Sequence, residues 1–239
     1  MKIMNYEVFV DDLDTLDITQ KKVINTINPH SYITAKKDTL FREALNESDL
    51  LIPDGTGIVI AAKIVNNKRI RKIAGADLHS FLLDKMNNVN GKIFYMGSSQ
   101  NVLAKIEEKI KKEYPNITVK SYSPPFKPEF TKEDNDTIVD LINEFDPHVL
   151  FVGMTAPKQE KWLHEHKDRL DFKVASSIGA VFDFYAGTVK RPSQVWIDLH
   201  LEWLPRFIHE PKRLWKRNLI STPLFLLEIL KYKFSNLEK

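Results

Sequence analysis

Residues 146–166 read Asp-Pro-His-Val-Leu-Phe-Val-Gly-Met-Thr-Ala-Pro-Lys-Gln-Glu-Lys-Trp-Leu-His-Glu-His. Val149–Val152 is apolar at every position, which suits a strand buried on both faces, as strands in parallel sheets are. Gly153 ends it, and a helix follows over Lys158–His166. Downstream, Lys173–Ile178 is a second expected strand. Upstream, helix Lys132–Phe145 is closed by Asp146-Pro147, because the residue before proline is pushed out of the helical region.

The alternation continues toward the amino end. Ile117–Tyr122 and Lys92–Met96 read as strands, with a long serine-capped helix to Glu113 between them. Helices are expected at Asp77–Met86 and Thr56–Val65, with a short strand at Asp49–Ile52. Asp38 caps Thr39–Asn46, and Val23–Thr34 is β-rich but interrupted by Asn28-Pro29. Strands separated by helices predict an α/β fold: a Rossmann-like, mostly parallel sheet with helices on both faces. In such sheets ligands bind beyond the carboxyl ends of the strands, where helix amino termini offer free N–H groups.

From Pro192 the character changes. Trp196, Leu199, Trp203, Phe207 and Leu214 recur at helical spacing, and a further apolar stretch runs over Leu219–Phe234. Residues 186–239 carry ten Lys and Arg against five acids, a charge of +5 that leaves −2 for residues 1–185. The expected division is a catalytic core over 1–191 and a C-terminal helical, basic, membrane-associating appendage over 192–239. A helix packed on the core or on a partner chain is the plainer reading of the same stretch.

Composition removes other classes. The 239 residues are 43% hydrophobic and 28% charged, enough for a real core. The absence of cysteine excludes a disulfide scaffold, a thiolate metal site and a cysteine nucleophile. The amino end has the makeup of neither a secretory signal nor a membrane span, so a cytoplasmic protein is expected. Eight glycines stand where average usage would give roughly 17, so each is expected where little else fits.

The motifs leave alternatives open. Asp54, between a strand and a helix, suits a general base or a helix cap. Thr26 and Asn28 can hydrogen-bond sugar hydroxyls or satisfy a turn. Gly97-Ser98-Ser99 can cradle phosphate, but neither G-x-G-x-x-G nor a P-loop is present, which weakens a dinucleotide-oxidoreductase reading. Lys158 opens a helix where it can meet anionic oxygen. His164 and His166 diverge by about 200° around a helix, against a shared metal. Asp12-Leu13-Asp14 and Asp134-Asn135-Asp136 resemble a metal-binding Asp-x-Asp but read as solvated. Arg206, Arg213 and Arg217 can neutralise a diphosphate or form a lipid-facing stripe.

Together these segments resemble the WecG/TagA/CpsF glycosyltransferases (glycosyltransferase family 26). The resemblance runs over roughly residues 24–217. It is carried by Thr26-Ile27-Asn28-Pro29, Leu51-Ile52-Pro53-Asp54-Gly55, Ala74-Gly75-Ala76-Asp77-Leu78, Pro157-Lys158-Gln159-Glu160, Gly179–Phe184, Lys190-Arg191-Pro192 and Glu210-Pro211-Lys212-Arg213. With the further matches Phe94-Tyr95-Met96-Gly97, Val152-Gly153-Met154 and Ala186-Gly187, six of the eight glycines fall in the matching segments; Gly57 stands two residues past one of them, and Gly91 lies outside.

The resemblance implies an inverting transferase without metal or cofactor. It would move a sugar, N-acetylmannosamine or a related hexose, from a UDP-sugar to a polyprenyl-diphosphate-linked acceptor, peripheral on the inner face of the bacterial cell membrane. No nucleic-acid partner is expected, and the oligomeric state is left open, a homo-oligomer included. By position, Asp54 matches the general base, with Thr26, Gln159 and Arg206 beside it as catalytic residues. Asn28, Lys72, Gly97, Ser98, Gly153, Lys158, Glu160, Asp183, Arg191, Arg213 and Arg217 fall to substrate binding. Lys72 stands where the family usually has arginine, which keeps the charge but not the bidentate fork. Ser123–Pro128 is similar to exopolysaccharide-type members, which use UDP-glucose or UDP-glucuronate. A non-catalytic nucleotide-binding scaffold of a polysaccharide assembly complex is the alternative from another class.

Overall fold

The computed structural model describes residues 1–189, 196, 203–209 and 211–235, and within them strands and helices alternate from residue 22 to residue 185. A small antiparallel hairpin, β1 (Lys2–Ile3) and β2 (Tyr6–Glu7), comes first. β3 (Lys22–Ile27), α1 (Pro29–Ala35), α2 (Thr39–Asn46), β4 (Leu50–Pro53), α3 (Thr56–Asn66) and α4 (Gly75–Asn88) follow. Next come β5 (Lys92–Gly97), α5 (Gln100–Glu113), β6 (Thr118–Tyr122), α6 (Lys132–Phe145), β7 (Val149–Gly153) and α7 (Lys158–His166). The core ends with β8 (Val174–Ser177) and α8 (Gly179–Tyr185). Beyond it lie α9 (Trp203–His209), α10 (Pro211–Trp215), a π-helical turn at Lys216–Ser221 and α11 (Thr222–Ser235).

Six strands form one parallel sheet in the order β4-β3-β8-β7-β5-β6. The central strand β7 is buried along its whole length, the outcome its unbroken apolar run predicts. Alternate residues of each strand feed opposite layers. Tyr95, Phe151 and Val174 pack under α4, α5 and α8 on one face. Phe94, Leu150 and Ala175 pack under α6 and α7 on the other. Ile27 and Leu51 extend that second face beneath α1, α2 and α3.

One element differs from the sequence expectation. Val23–Thr34 is not continuous β structure: β3 stops at Ile27 and α1 begins at Pro29. Asn28 is the reason, because its side-chain oxygen accepts from the backbone N–H groups of His30 and Ser31, 3.0 Å each. Ser31 Oγ accepts in return from Asn28 N at 2.7 Å, completing a capping box with proline at the first helical position. Asp38 and Ser99 cap α2 and α5 as their sequences predict.

The C-terminal helix is divided between two environments. Phe225 and Ile229 of α11 are fully buried against α1 and α3, the ring standing beside Gly57. Burial of each is worth roughly 1.5–3 kcal/mol. Lys36 pairs with Glu228, and Tyr232 Oη donates to the Met4 carbonyl at 3.1 Å. Lys233 Nζ donates to the Ile64 carbonyl at 2.8 Å. The other side of α11 faces outward, with Leu224, Leu226, Leu227, Leu230 and Phe234 all exposed. Among the described residues no helix is long and apolar enough to cross a membrane.

Candidate active site

The connections out of β5 and β7 leave toward opposite faces of the sheet, β5 into α5 and β7 into α7. Adjacent strands that diverge in this way open a crevice at their carboxyl ends, where α/β sheets bind ligands. Both strands end in glycine there, and Gly97 stands in register with Gly153. A Cβ on Gly97 would lie 2.2 Å from the Gly153 carbonyl oxygen, and Gly97 has φ +112°. A Cβ on Gly153 would strike the Phe182 ring at 2.4 Å. The absence of both side chains lets Ser98 N donate to Gly153 O at 2.8 Å. It also leaves the amino end of the 14-residue helix α5 directly behind the turn.

Asp54 follows β4 on the same edge. Its amide donates to Ile27 O of β3 at 2.8 Å, which fixes it beside the exit of the neighbouring strand. The N-cap position of α3 belongs to Gly55, at φ +111°, and not to Asp54. Thr26, half-buried, pairs in register with Ile52, two residues before Asp54. Lys72 precedes Ile73, whose amide donates to Pro53 O at 3.0 Å, so it too stands at the end of β4. Arg71 instead faces Asp12 across 3.8 Å, both side chains well exposed.

Several candidates are occupied by the protein itself. The Asn28 side-chain Oδ1 serves the α1 cap. Lys158 Nζ donates to Lys127 O at 2.6 Å and lies 3.7 Å from the Phe130 ring centre. Burial and the nearby Lys127 charge both lower its pKa. It thereby ties the loop after β6 to the head of α7, while Ser123 Oγ ties the start of that loop to Ser98 O at 2.7 Å. Asp183 Oδ1 accepts from Thr188 Oγ1 at 3.2 Å, closing the end of α8.

Gln159 and Glu160 are both buried, 6% and 4% exposed. Gln159 Oε1 accepts from Met154 N and from Gly179 N, 3.1 Å each, joining the turn after β7 to the turn after β8. Gln159 Nε2 donates to Glu160 Oε1 at 2.9 Å. Burial is the main reason the Glu160 carboxyl is pushed up to about 7.

The C-terminal segment reaches this edge through α1. His30, two residues after Asn28, has its Nδ1 2.9 Å from Ser221 Oγ of the π-helical turn. Burial lowers the His30 pKa, and the Arg217 guanidinium lowers it further, which places Arg217 near the head of α1. No pattern in the sequence marks His30 except its position after the strand exit. Arg191 and the side chains of Arg206 and Arg213 lie outside the described residues.

The remaining polar motifs have other uses. His164 faces Glu47 at 3.8 Å, whereas His166 Nδ1 meets Trp162 O at 2.8 Å and stacks on the Trp162 ring. Asp134 completes the α6 capping box, Asn135 Oδ1 accepts from Trp162 Nε1, and Asp136 pairs with Arg169. A groove of about 330 Å³ lined by Lys21, His148 and Lys173 opens at the opposite, amino ends of the strands, away from the glycine turns.

Against known proteins, residues 1–239 match the Glycosyl transferase WecG/TagA/CpsF family. The chain is 34% identical over 229 residues to an N-acetylglucosaminyldiphosphoundecaprenol N-acetyl-beta-D-mannosaminyltransferase of Bacillus subtilis (strain 168), covering 95% of this chain and 87% of that one. A protein of the same name from Bacillus spizizenii is 31% identical over 227 residues, covering 94% and 86%. Another, from Staphylococcus aureus (strain MRSA252), is 30% identical over 216 residues, covering 90% and 82%.

Proposed function

The chain belongs to the WecG/TagA/CpsF family of glycosyl transferases, and from that premise we propose that it transfers N-acetylmannosamine from a UDP-sugar to a polyprenyl-diphosphate-linked saccharide. The observation that carries the proposal is the position of Asp54, one residue past β4 and bonded through its amide to the last residue of β3. The names of the relatives supply the acceptor class and the sugar.

The displacement is direct. The acceptor hydroxyl gives its proton to the Asp54 carboxylate as its oxygen bonds to the sugar C1. The bond from C1 to the diphosphate breaks on the opposite side, inverting the centre, and UDP leaves with the electron pair. A correctly placed base is worth about 10²–10⁴ in rate. Thr26 orients sugar hydroxyls beside it. The departing diphosphate meets the amides at the head of α5 and the cations Lys72, Arg206, Arg213 and Arg217, which stabilise charge as it develops.

We place the protein peripherally on the inner face of the bacterial cell membrane. Support comes from exposed Leu224, Leu226, Leu227 and Leu230 of α11 with exposed Lys231 beside them, and from exposed Trp203, Trp215 and Lys216 before it. The test is turnover. UDP-N-acetylmannosamine, UDP-glucose and UDP-glucuronate are each incubated with purified protein and a synthetic lipid-diphosphate acceptor, reading UDP release and product mass. Transfer of N-acetylmannosamine is the expected result. Binding of UDP without transfer from any donor would overturn it in favour of a scaffold.

A further inference from the structure

We infer that Glu160 is a positioning residue: by accepting from Gln159 Nε2 it holds the Gln159 amide in the orientation that clamps the β7 and β8 turns together, without touching substrate. Gln159 Oε1 faces two backbone donors, Met154 N and Gly179 N, while its Nε2 faces one carboxylate oxygen. Turning the amide over would set three donors against one another and aim Oε1 at the carboxylate, so a carboxylate at 160 selects the observed orientation.

The clamp joins turns 25 residues apart in sequence, at Met154 and Gly179. They approach so closely that a Cβ on Gly179 would lie 2.4 Å from Met154 O and 2.6 Å from Gln159 Oε1. Glu160 is too enclosed to meet a ligand. Its second carboxylate oxygen is buried without a hydrogen-bond partner among the described residues, and its raised pKa reflects the same enclosure. The geometry therefore gives Glu160 a task inside the wall of the crevice, deepening the transferase assignment on which its activity readout rests.

Amide hydrogen exchange tests the clamp independently of that assignment. Glu160→Gln keeps an acceptor oxygen and is expected to leave Met154 and Gly179 protected within about threefold of wild type. Glu160→Met and Glu160→Leu remove the acceptor and should speed exchange at those two amides by at least about tenfold, with the rest of the sheet unchanged. In the transfer assay the Met variant should lower kcat about tenfold or more with a smaller change in donor KM, and the Gln variant should restore it. Two apolar variants allow for one failing to fold. Wild-type protection in a folded apolar variant, or a Gln variant as unprotected as the Met variant, would overturn the inference. If the wild-type chain transfers no sugar, the transferase assignment fails and exchange still decides the clamp.

Discussion

Gly97 and Gly153 end adjacent strands in register, so close that one carbonyl oxygen occupies the space a side chain would take. Gly97→Ala therefore meets two penalties: a left-handed φ and a clash with backbone that cannot swing aside. It should cost about 2 kcal/mol or more. Gly187→Ala is the control, since Gly187 has φ +72° but nothing within 4 Å of the added Cβ. It should cost only about 1 kcal/mol. Urea unfolding of both variants compares them; equal losses would mean that the close approach contributes nothing.

Asp54→Asn preserves size and polarity while removing the base. Turnover should fall about 10²–10⁴-fold, with unfolding free energy within about 1 kcal/mol of wild type, since the anchoring bond to Ile27 is made by the backbone amide and survives. Steady-state transfer and urea unfolding on one preparation check it. A variant that keeps wild-type turnover would remove Asp54 from the chemistry.

The sheet was legible because β4, β5 and β7 are short apolar runs bounded by glycine, proline or aspartate, with helical patterns between them. The site was legible only in part. Asn28 shows why: an Asn-Pro pair breaks a strand and starts a helix by the same side chain, and periodicity registers only the break. Gln159 is visible as a polar residue at a helix head, but its partner Gly179 belongs to another loop, and no local pattern encodes that contact. Lys158 likewise reads as a free cation until the loop carrying Lys127 and Phe130 is folded against it. In the tail, hydrophobic spacing marks an amphipathic segment but cannot say which apolar residues meet protein and which do not.

That division can be tested residue by residue. Phe225→Ala should cost about 3–5 kcal/mol, because it empties a fully buried position between α1 and α3. Leu227→Ser, at 53% exposure, should change stability by less than about 0.5 kcal/mol. A triple Leu224→Ser, Leu227→Ser, Leu230→Ser variant should lose about tenfold in binding to anionic vesicles while remaining folded. Thermal unfolding and vesicle co-sedimentation read the two effects separately. Undiminished vesicle binding by the triple variant would remove α11 from the membrane contact.

Two buried groups pull stability in opposite directions as pH changes. His79, whose Nε2 lies 2.7 Å from Tyr95 Oη, is held neutral by burial, its pKa depressed to about 3. The unfolded chain takes up a proton near the ordinary value of 6.5, so this contribution is present above that pH and is lost as pH falls toward 3. Glu160 behaves oppositely. Its folded pKa of about 7 lies above the ordinary 4.5, so the folded state binds the extra proton between those values. The stability it contributes is full below pH 4.5 and is lost as pH rises through 7, a change of about 3 kcal/mol. Glu160→Gln should therefore gain on wild type by about that amount between pH 4.5 and 7.5. The comparison is urea unfolding of both proteins at each pH. A constant difference between the two curves across the window would mean that the Glu160 carboxyl titrates alike in the folded and unfolded chains.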